Sequence, residues 1–105
     1  MALEIEHQHA LPETEAKARL EALGDYFANR HKLKIAWSSP SKATVTGKYA
    51  LLAIAGEIEL AGPGRIKLRG PDPGFLLRKK AEDYLRRKLT TYLNPATPLA
   101  ELDRG

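Results

Sequence analysis

The chain has 105 residues, of which 43% are hydrophobic and 29% are charged, and its net charge is +4; this is the composition of one small globular domain. It contains no cysteine, which excludes disulfides, cysteine zinc ligands and thiol nucleophiles. The acidic, alternating N-terminus and the lack of a long apolar run predict neither a signal peptide nor a membrane-spanning helix. We therefore expect a soluble cytoplasmic protein.

The first third of the sequence predicts a strand followed by a helix. Residues 2–7 alternate between apolar and polar side chains, which is typical of a strand with one solvated face. Carboxylates after Pro12 suit the start of a helix, and the basic residues 30–32 suit its end. Apolar residues recur along one face of this helix at Ala16, Leu20, Leu23 and Phe27.

Four more strands and a second helix follow. Residues 33–37 and 42–48 alternate on either side of a serine-rich turn, and Pro63 marks the turn of a hairpin between the fourth and fifth strands. The alternation predicts four cross-strand pairs in this hairpin: Ile58 with Leu68, Leu60 with Ile66, Glu57 with Arg69, and Glu59 with Lys67. The last helix is predicted from about Phe75 to Leu93.

Each predicted helix has one apolar stripe, and the strands share one apolar face. Two layers bury both, so we predict an α+β fold of order β-α-β-β-β-β-α. In this fold both helices pack on one face of an antiparallel sheet, a minimal helix-grip-like arrangement. Residues 1–94 would form this single domain and residues 95–105 a mobile C-terminal tail. The order of the strands stays open.

No pattern of polar residues indicates catalysis. The sequence has no nucleophile elbow, P-loop or dinucleotide fingerprint, and Glu57 and Glu59 are expected to pair with bases across the hairpin. His7 and His9 share a face of an extended segment and could hold a metal only with a third ligand. We favour the alternative, in which His7 faces inward and His9 bonds the backbone at a corner. We expect no enzyme, no metal and no cofactor.

Charge is divided unevenly along the chain. Residues 1–31 carry six acidic against three basic side chains, whereas residues 64–93 carry nine basic against three acidic ones. The candidate electrostatic surface consists of Arg65, Lys67, Arg69, Arg78, Lys79, Arg86 and Arg87. Nucleic-acid-binding modules add aromatic stacking platforms to such charge, but aromatic residues are 7% of this chain and lie mostly on inner stripes. A solvated surface is the favoured interpretation.

One apolar segment, residues 49–55, loses the alternation of the strand before it. The candidate apolar contact surface within it consists of Tyr49, Leu51, Ala53 and Ile54. Two interpretations stay open. The segment is either a strand start covered by a loop or by the tail, or an exposed apolar edge for self-association or for contact with a hydrophobic surface.

Short motifs along residues 3–93 resemble the polyhydroxyalkanoic acid system family. They are His9-Ala10-Leu11, Glu15-Ala16 with Arg19, a basic helix end before Leu33 and Trp37, Gly56-Glu57-Ile58-Glu59-Leu60, the basic strand from Arg65 to Arg69, and Gly74-Phe75-Leu76-Leu77. The stretch from Gly47 to Ala55 departs from the family, because it is longer and more apolar than the usual glycine turn. The resemblance implies a bacterial protein of storage-polyester metabolism or granules, and it implies no enzyme.

Three functions remain as hypotheses. The first is a small non-catalytic protein of the polyhydroxyalkanoate system that contacts the granule surface or another granule protein, with a homodimer as a further option. The second is an apolar small-ligand-binding domain with a cavity between the sheet and the C-terminal helix, beneath Trp37 and Tyr84. The third and least favoured is a basic nucleic-acid-binding module. A cavity of several hundred Å³ would favour the second hypothesis over the first.

Overall fold

The computed structural model describes residues 2–49 and 52–105. These residues form one sheet of five antiparallel strands and two α-helices in the predicted order, which confirms the α+β class. The strands are β1 (Ala2–Gln8), β2 (Lys34–Ser39), β3 (Lys42–Tyr49), β4 (Leu52–Gly62) and β5 (Arg65–Pro71). The helices are α1 (Glu13–His31) and α2 (Phe75–Tyr92), and a short 3-10 helix, Leu99–Glu101, follows.

The strands lie in the order β1-β5-β4-β3-β2, so the last strand pairs with the N-terminal one. The predicted register of the β4–β5 hairpin is confirmed, with Ile58 opposite Leu68 and Leu60 opposite Ile66. Because strand side chains alternate, this register directs all four of these apolar side chains to one face of the sheet.

The predicted cross-strand positions of the charged residues are confirmed as well, with Glu57 opposite Arg69 and Glu59 opposite Lys67. The ion pairs of the outer sheet face, however, reach the flanking strands. Lys42 of β3 lies 2.8 Å from Glu57, and Glu4 of β1 lies 3.0 Å from Arg69. Hydrogen bonding to Lys42 lowers the pKa of the Glu57 carboxyl. A side chain in an inner strand has neighbours on both sides, and a hairpin pattern considers only one of them.

The hydrophobic core lies between the inner sheet face and both helices, as predicted. Fully buried apolar side chains come from every layer: Ile5, Ala43 and Ile66 of the sheet, Ala16, Leu20 and Leu23 of α1, and Leu89 of α2. The helices contribute unequally, because α1 has buried residues along its length whereas those of α2 are Leu89 and Tyr92, near its C-terminal end. The first half of α2 is therefore only loosely packed.

A buried arginine joins the two helices. Arg19 of α1 is 2% exposed, and its guanidinium donates hydrogen bonds to the carbonyl oxygens of Tyr92, Asn94 and Thr97 at 3.1, 2.9 and 2.6 Å. Glu15, one turn earlier in α1, lies 3.3 Å from the same guanidinium. Carbonyl groups at a helix end lack intrahelical partners, and a cation there also meets the negative end of the helix dipole. Arg19 thereby fixes the end of α2 against the middle of α1.

The segment after α2 lies along α1. Leu102 is buried in the core, and the Tyr92 hydroxyl donates a hydrogen bond to the Asp103 carbonyl. Arg104 lies 2.6 Å from Asp25 of α1. These contacts give the segment a defined place on the fold, while the predicted domain limit and the predicted mobility of the tail stay predictions.

Replacing Arg19 with methionine is expected to lower the free energy of unfolding by roughly 3 kcal/mol, because the carbonyl groups at the end of α2 lose their buried donor while an apolar stem is kept. Urea unfolding followed by circular dichroism measures this. Glu15→Gln is the matched control: its side chain is 43% exposed, so losing that ion pair should cost less than about 1 kcal/mol. Equal stability of R19M and the unmodified protein would contradict the role given to Arg19.

Candidate ligand-binding cleft

The two helices run antiparallel but are offset along their length. The side chain of Arg19 meets Tyr92, while His31, the last residue of α1, meets Tyr84, with 3.2 Å between its Nε2 and the tyrosine hydroxyl. Residues 75–83 of α2 therefore extend beyond the end of α1. Between these turns and the sheet lies an open cleft of about 750 Å³.

Three elements of the fold bound this cleft. The inner sheet face forms its floor, the first half of α2 covers it, and the end of α1 closes one side. Its apolar lining includes Leu3 and Ile5 of β1, Ile54 of β4, Leu68 of β5, and Leu77 and Leu85 of α2. A concave site with a mostly apolar lining and a few polar groups is the usual form of a small-molecule site.

Two glycines deepen the floor of the cleft. Gly56 and Gly70 are neighbours on the inner face, in a row of the sheet that runs from Val45 to Leu3. A Cβ at Gly56 would lie 2.5 Å from the Arg69 carbonyl oxygen, so this position requires glycine. A Cβ at Gly70 would meet no atom within 4 Å. The missing side chain at Gly70 therefore leaves open volume in the cleft.

Hydrogen-bonding groups cluster on the α1 side of the cleft. The rings of Tyr26 and His31 are 5.8 Å apart, and both residues line the cleft together with Tyr84. The ammonium of Lys88 lies 3.9 Å from the centre of the Tyr26 ring and 5.6 Å from that of Tyr84. We call Tyr26, His31, Tyr84 and Lys88 the polar corner.

Cations shape the electrostatics of the polar corner. Hydrogen bonding to Lys88 lowers the pKa of the Tyr26 hydroxyl, and burial, followed by Lys88 and Arg30, lowers the pKa of His31. The histidine is therefore neutral near pH 7. Hydroxyl and ring N–H groups with positive charge behind them are suited to a carboxylate or carbonyl oxygen.

Of the predicted apolar contact surface, Tyr49, Leu51, Ala53 and Ile54, Tyr49 ends β3, and Ala53 and Ile54 lie near the start of β4. Leu51 lies outside the described residues, as does the side chain of Tyr49. Ala53 is exposed, whereas Ile54 is partly buried and lines the cleft. The structure thus assigns Ile54 to the cleft, and use of this segment as a contact surface stays a prediction.

Most cations of the predicted electrostatic surface have an acidic neighbour. The ion pairs are Arg65 with Glu6 at 3.5 Å, Arg69 with Glu4 at 3.0 Å, Lys79 with Asp83 at 3.8 Å, Arg86 with Glu82 at 3.1 Å, and Arg78 with Asp72. Lys67 lies opposite Glu59 in the sheet, and Arg87 is exposed on α2. Local acids therefore offset much of this charge, and a role for the surface stays a prediction.

The histidine pair lies at the other end of the sheet from the cleft floor. The Nδ1 atom of His9 accepts a hydrogen bond from the Leu11 N–H at 3.1 Å, and the His9 N–H donates to the Gly64 carbonyl at 2.9 Å. This confirms His9 as a corner residue that bonds the backbone. Within residues 2–49 and 52–105, no group of three or more histidine or acidic side chains is placed to hold a metal ion.

The cleft lies beneath Tyr84 but not beneath Trp37, whereas the sequence predicted a cavity beneath both residues. Tyr84 lines it as expected, but the Trp37 ring lies 5.2 Å from the Lys17 ammonium, near the start of α1, and Trp37 is not among the described residues that line the cleft. Trp37 pairs with Ala43, in the part of the sheet that α1 covers. The signal that was missed is a pair of glycines, Gly56 and Gly70, at inward positions of adjacent strands.

Fold and cleft together define a small helix-grip-like α+β domain, in which a C-terminal helix lies across an antiparallel sheet above an open cleft. The chain belongs to the polyhydroxyalkanoic acid system protein family, whose model matches residues 3–94. This confirms the resemblance noted in the sequence. Comparisons with curated proteins and with solved structures found no match. No helix in the described part of the chain is long and apolar enough to cross a membrane.

Stability is expected to fall as the pH drops below about 6.5, the ordinary pKa of histidine. Burial lowers the pKa of His7, His9 and His31, so the unfolded chain takes up protons at a higher pH than the folded one does. The contribution of the three neutral histidines to the free energy of unfolding is therefore fully present above their ordinary pKa. It is lost as the pH falls through their lowered pKa values in the folded chain. Urea midpoints from about pH 8 to about pH 5.5 measure the loss, and His31→Gln should reduce it. A midpoint that stays constant over this range would contradict the prediction.

Proposed function

We propose that this chain is a non-catalytic binding protein of the polyhydroxyalkanoate system that takes an apolar acyl ligand into the cleft. The observation that carries the proposal is the cleft of about 750 Å³ beneath α2, which lies in the usual size range of small-molecule sites. A filled core would have favoured surface contact alone. The family membership supports an acyl compound related to hydroxyalkanoic acids as the ligand.

The non-catalytic character is part of the proposal. General acid–base chemistry needs titratable groups that converge on one reacting atom. Glu57 borders the cleft, but its carboxylate lies 2.8 Å from Lys42 on the outer sheet face. The polar corner offers hydroxyl groups and a neutral histidine, which suit recognition of an oxygen atom. A bacterial origin and a cytoplasmic location belong to the same proposal.

Replacing Gly70 with phenylalanine is expected to weaken ligand binding by about tenfold or more, which corresponds to roughly 1.4 kcal/mol of lost contact. A Cβ at this position meets open space, so the ring should occupy the cleft without displacing the backbone. The measurement is fluorescence titration with N-phenyl-1-naphthylamine, a neutral apolar probe.

Lys67→Phe is the matched control, because it places the same ring on the same strand but on the opposite face of the sheet. It should leave probe affinity unchanged. Gly70→Ala, which adds a single methyl group, should have an intermediate effect. Probe binding by the Gly70→Phe variant as tight as that of the unmodified protein would rule out the cleft as the binding site.

A second candidate function, contact with the apolar surface of a polyester granule, is favoured by the start of α2. Phe75, Leu76 and Leu77 are 83%, 79% and 54% exposed. Three consecutive exposed apolar residues on one helical turn are unusual on a soluble protein and are typical of contact sites. We call these residues the apolar triad. The nearby side chains of Lys79 and Lys80 are exposed as well.

Replacing Leu76 with glutamate is expected to reduce cosedimentation with polyhydroxyalkanoate particles by about tenfold, since burial of one leucine side chain contributes roughly 1.5–3 kcal/mol. Thr91→Glu, at another exposed position on the same helix, is the charge-matched control and should bind normally. Gel filtration of both variants tests whether the triad instead joins two copies of the chain. Unchanged cosedimentation of the Leu76→Glu variant would exclude the triad as the granule contact.

A further inference from the structure

Three hydrogen-bonding side chains lie together at one corner of the cleft. Tyr26 and His31 from α1 and Tyr84 from α2 face it where the two helices meet. Away from this corner most of the lining is apolar, with side chains such as Leu3, Ile54 and Leu77 and the two floor glycines. The charged residues there are Lys80 and also Glu57 and Arg69, whose charged groups form ion pairs on the outer sheet face. A molecule in the cleft would therefore meet hydrogen-bonding groups at one end and apolar groups along the rest of its length.

The charge near the polar corner is positive. Lys88 lies 3.9 Å from the centre of the Tyr26 ring, and Lys80 lines the cleft directly. Arg30 also lies near Tyr26, at 5.8 Å from its ring centre, but Asp103 at 3.7 Å offsets its charge. Lys88 is therefore the cation that acts most directly on the corner, since its distances to the rings are the shortest.

We propose that the ligand of the cleft is a straight-chain monocarboxylic acid, whose carboxylate is held at the polar corner and whose chain lies over the Gly56–Gly70 floor. This inference rests on the proposed function and adds the chemical class and orientation of the ligand. An ionised carboxylate accepts hydrogen bonds from the hydroxyl and imidazole N–H groups that face the cleft. The Lys88 ammonium, which is not among the described lining residues, lies close to the Tyr26 ring and attracts the carboxylate through its charge. The apolar chain carries no polar atom, so its burial over the glycine floor leaves no hydrogen-bonding group unpaired.

This arrangement discriminates between head groups rather than between chains. An acid and an alcohol of equal length bury the same apolar surface, so their affinities differ only through the end that meets the polar corner. A hydrogen bond to a charged group contributes more than one to a neutral group. Removal of the positive charge at the polar corner should therefore lower the affinity for the acid and leave the affinity for the alcohol unchanged.

The experiment compares decanoic acid with 1-decanol as competitors of N-phenyl-1-naphthylamine at neutral pH. We expect the acid to bind about tenfold more tightly than the alcohol. Lys88→Met and Tyr84→Phe should each lower the affinity for the acid by about fivefold or more and leave the affinity for the alcohol within about twofold of its original value. Arg87→Met removes a cation from the neighbouring, exposed position of α2 and should change neither affinity.

The outcomes separate this inference from the function on which it rests. Equal affinities for acid and alcohol, or equal losses for both in the Lys88→Met and Tyr84→Phe variants, would overturn the carboxylate assignment and leave the apolar cleft standing. Failure of the probe and of both decyl compounds to bind, checked by calorimetry, would overturn both proposals. Thermal unfolding of each variant identifies any that is misfolded. If Tyr84→Phe is misfolded, the Lys88→Met variant alone tests the carboxylate assignment.

Discussion

One guanidinium group fixes the C-terminal end of the second helix. Arg19 is buried in the middle of α1 and donates to three carbonyl groups at and beyond the C-terminal end of α2. Because α2 is fixed at this end, its other end must extend past the last residue of α1, where Tyr84 meets His31. The space beneath the extended part is the cleft. A structural contact at one end of the helix thus creates a candidate binding site at the other.

Much of the fold could be predicted because the relevant patterns are local. Alternation determines strands, a helical stripe determines α1, and the β4–β5 register follows from a single turn at Pro63 with matched faces. The role of Arg19 could not be predicted in this way, since its partners lie more than seventy positions away along the chain. Its place on the inner stripe of α1, three residues after Ala16, was the available signal. A charged residue on an apolar stripe indicates a buried hydrogen-bonding role only when its partner is known.

The site was harder to predict than the fold for a physical reason. A cleft depends on side chains that are missing or held apart, and a hydrophobic pattern records only those that are present. Ile54 and Leu77 have the same spacing as core residues, yet the offset of the helices leaves them at an opening. Gly70 shows the difficulty most directly: in the sequence it resembles a strand-ending glycine, whereas in the fold it leaves open volume beside Gly56.

The apolar triad and the cleft share one residue, which relates the two candidate functions physically. Leu77 lines the cleft and is also 54% exposed, next to Phe75 and Leu76 at the start of α2. A helix that buried this turn would fill the cleft, so exposure of the triad and openness of the cleft have the same cause. Contact of the triad with an apolar surface would bring that surface to the opening of the cleft. The two proposed functions, contact with a granule and binding of an acyl chain, are therefore compatible at one helix end. Leu76 is exposed to solvent there, whereas Gly70 lies in the cleft beneath the helix.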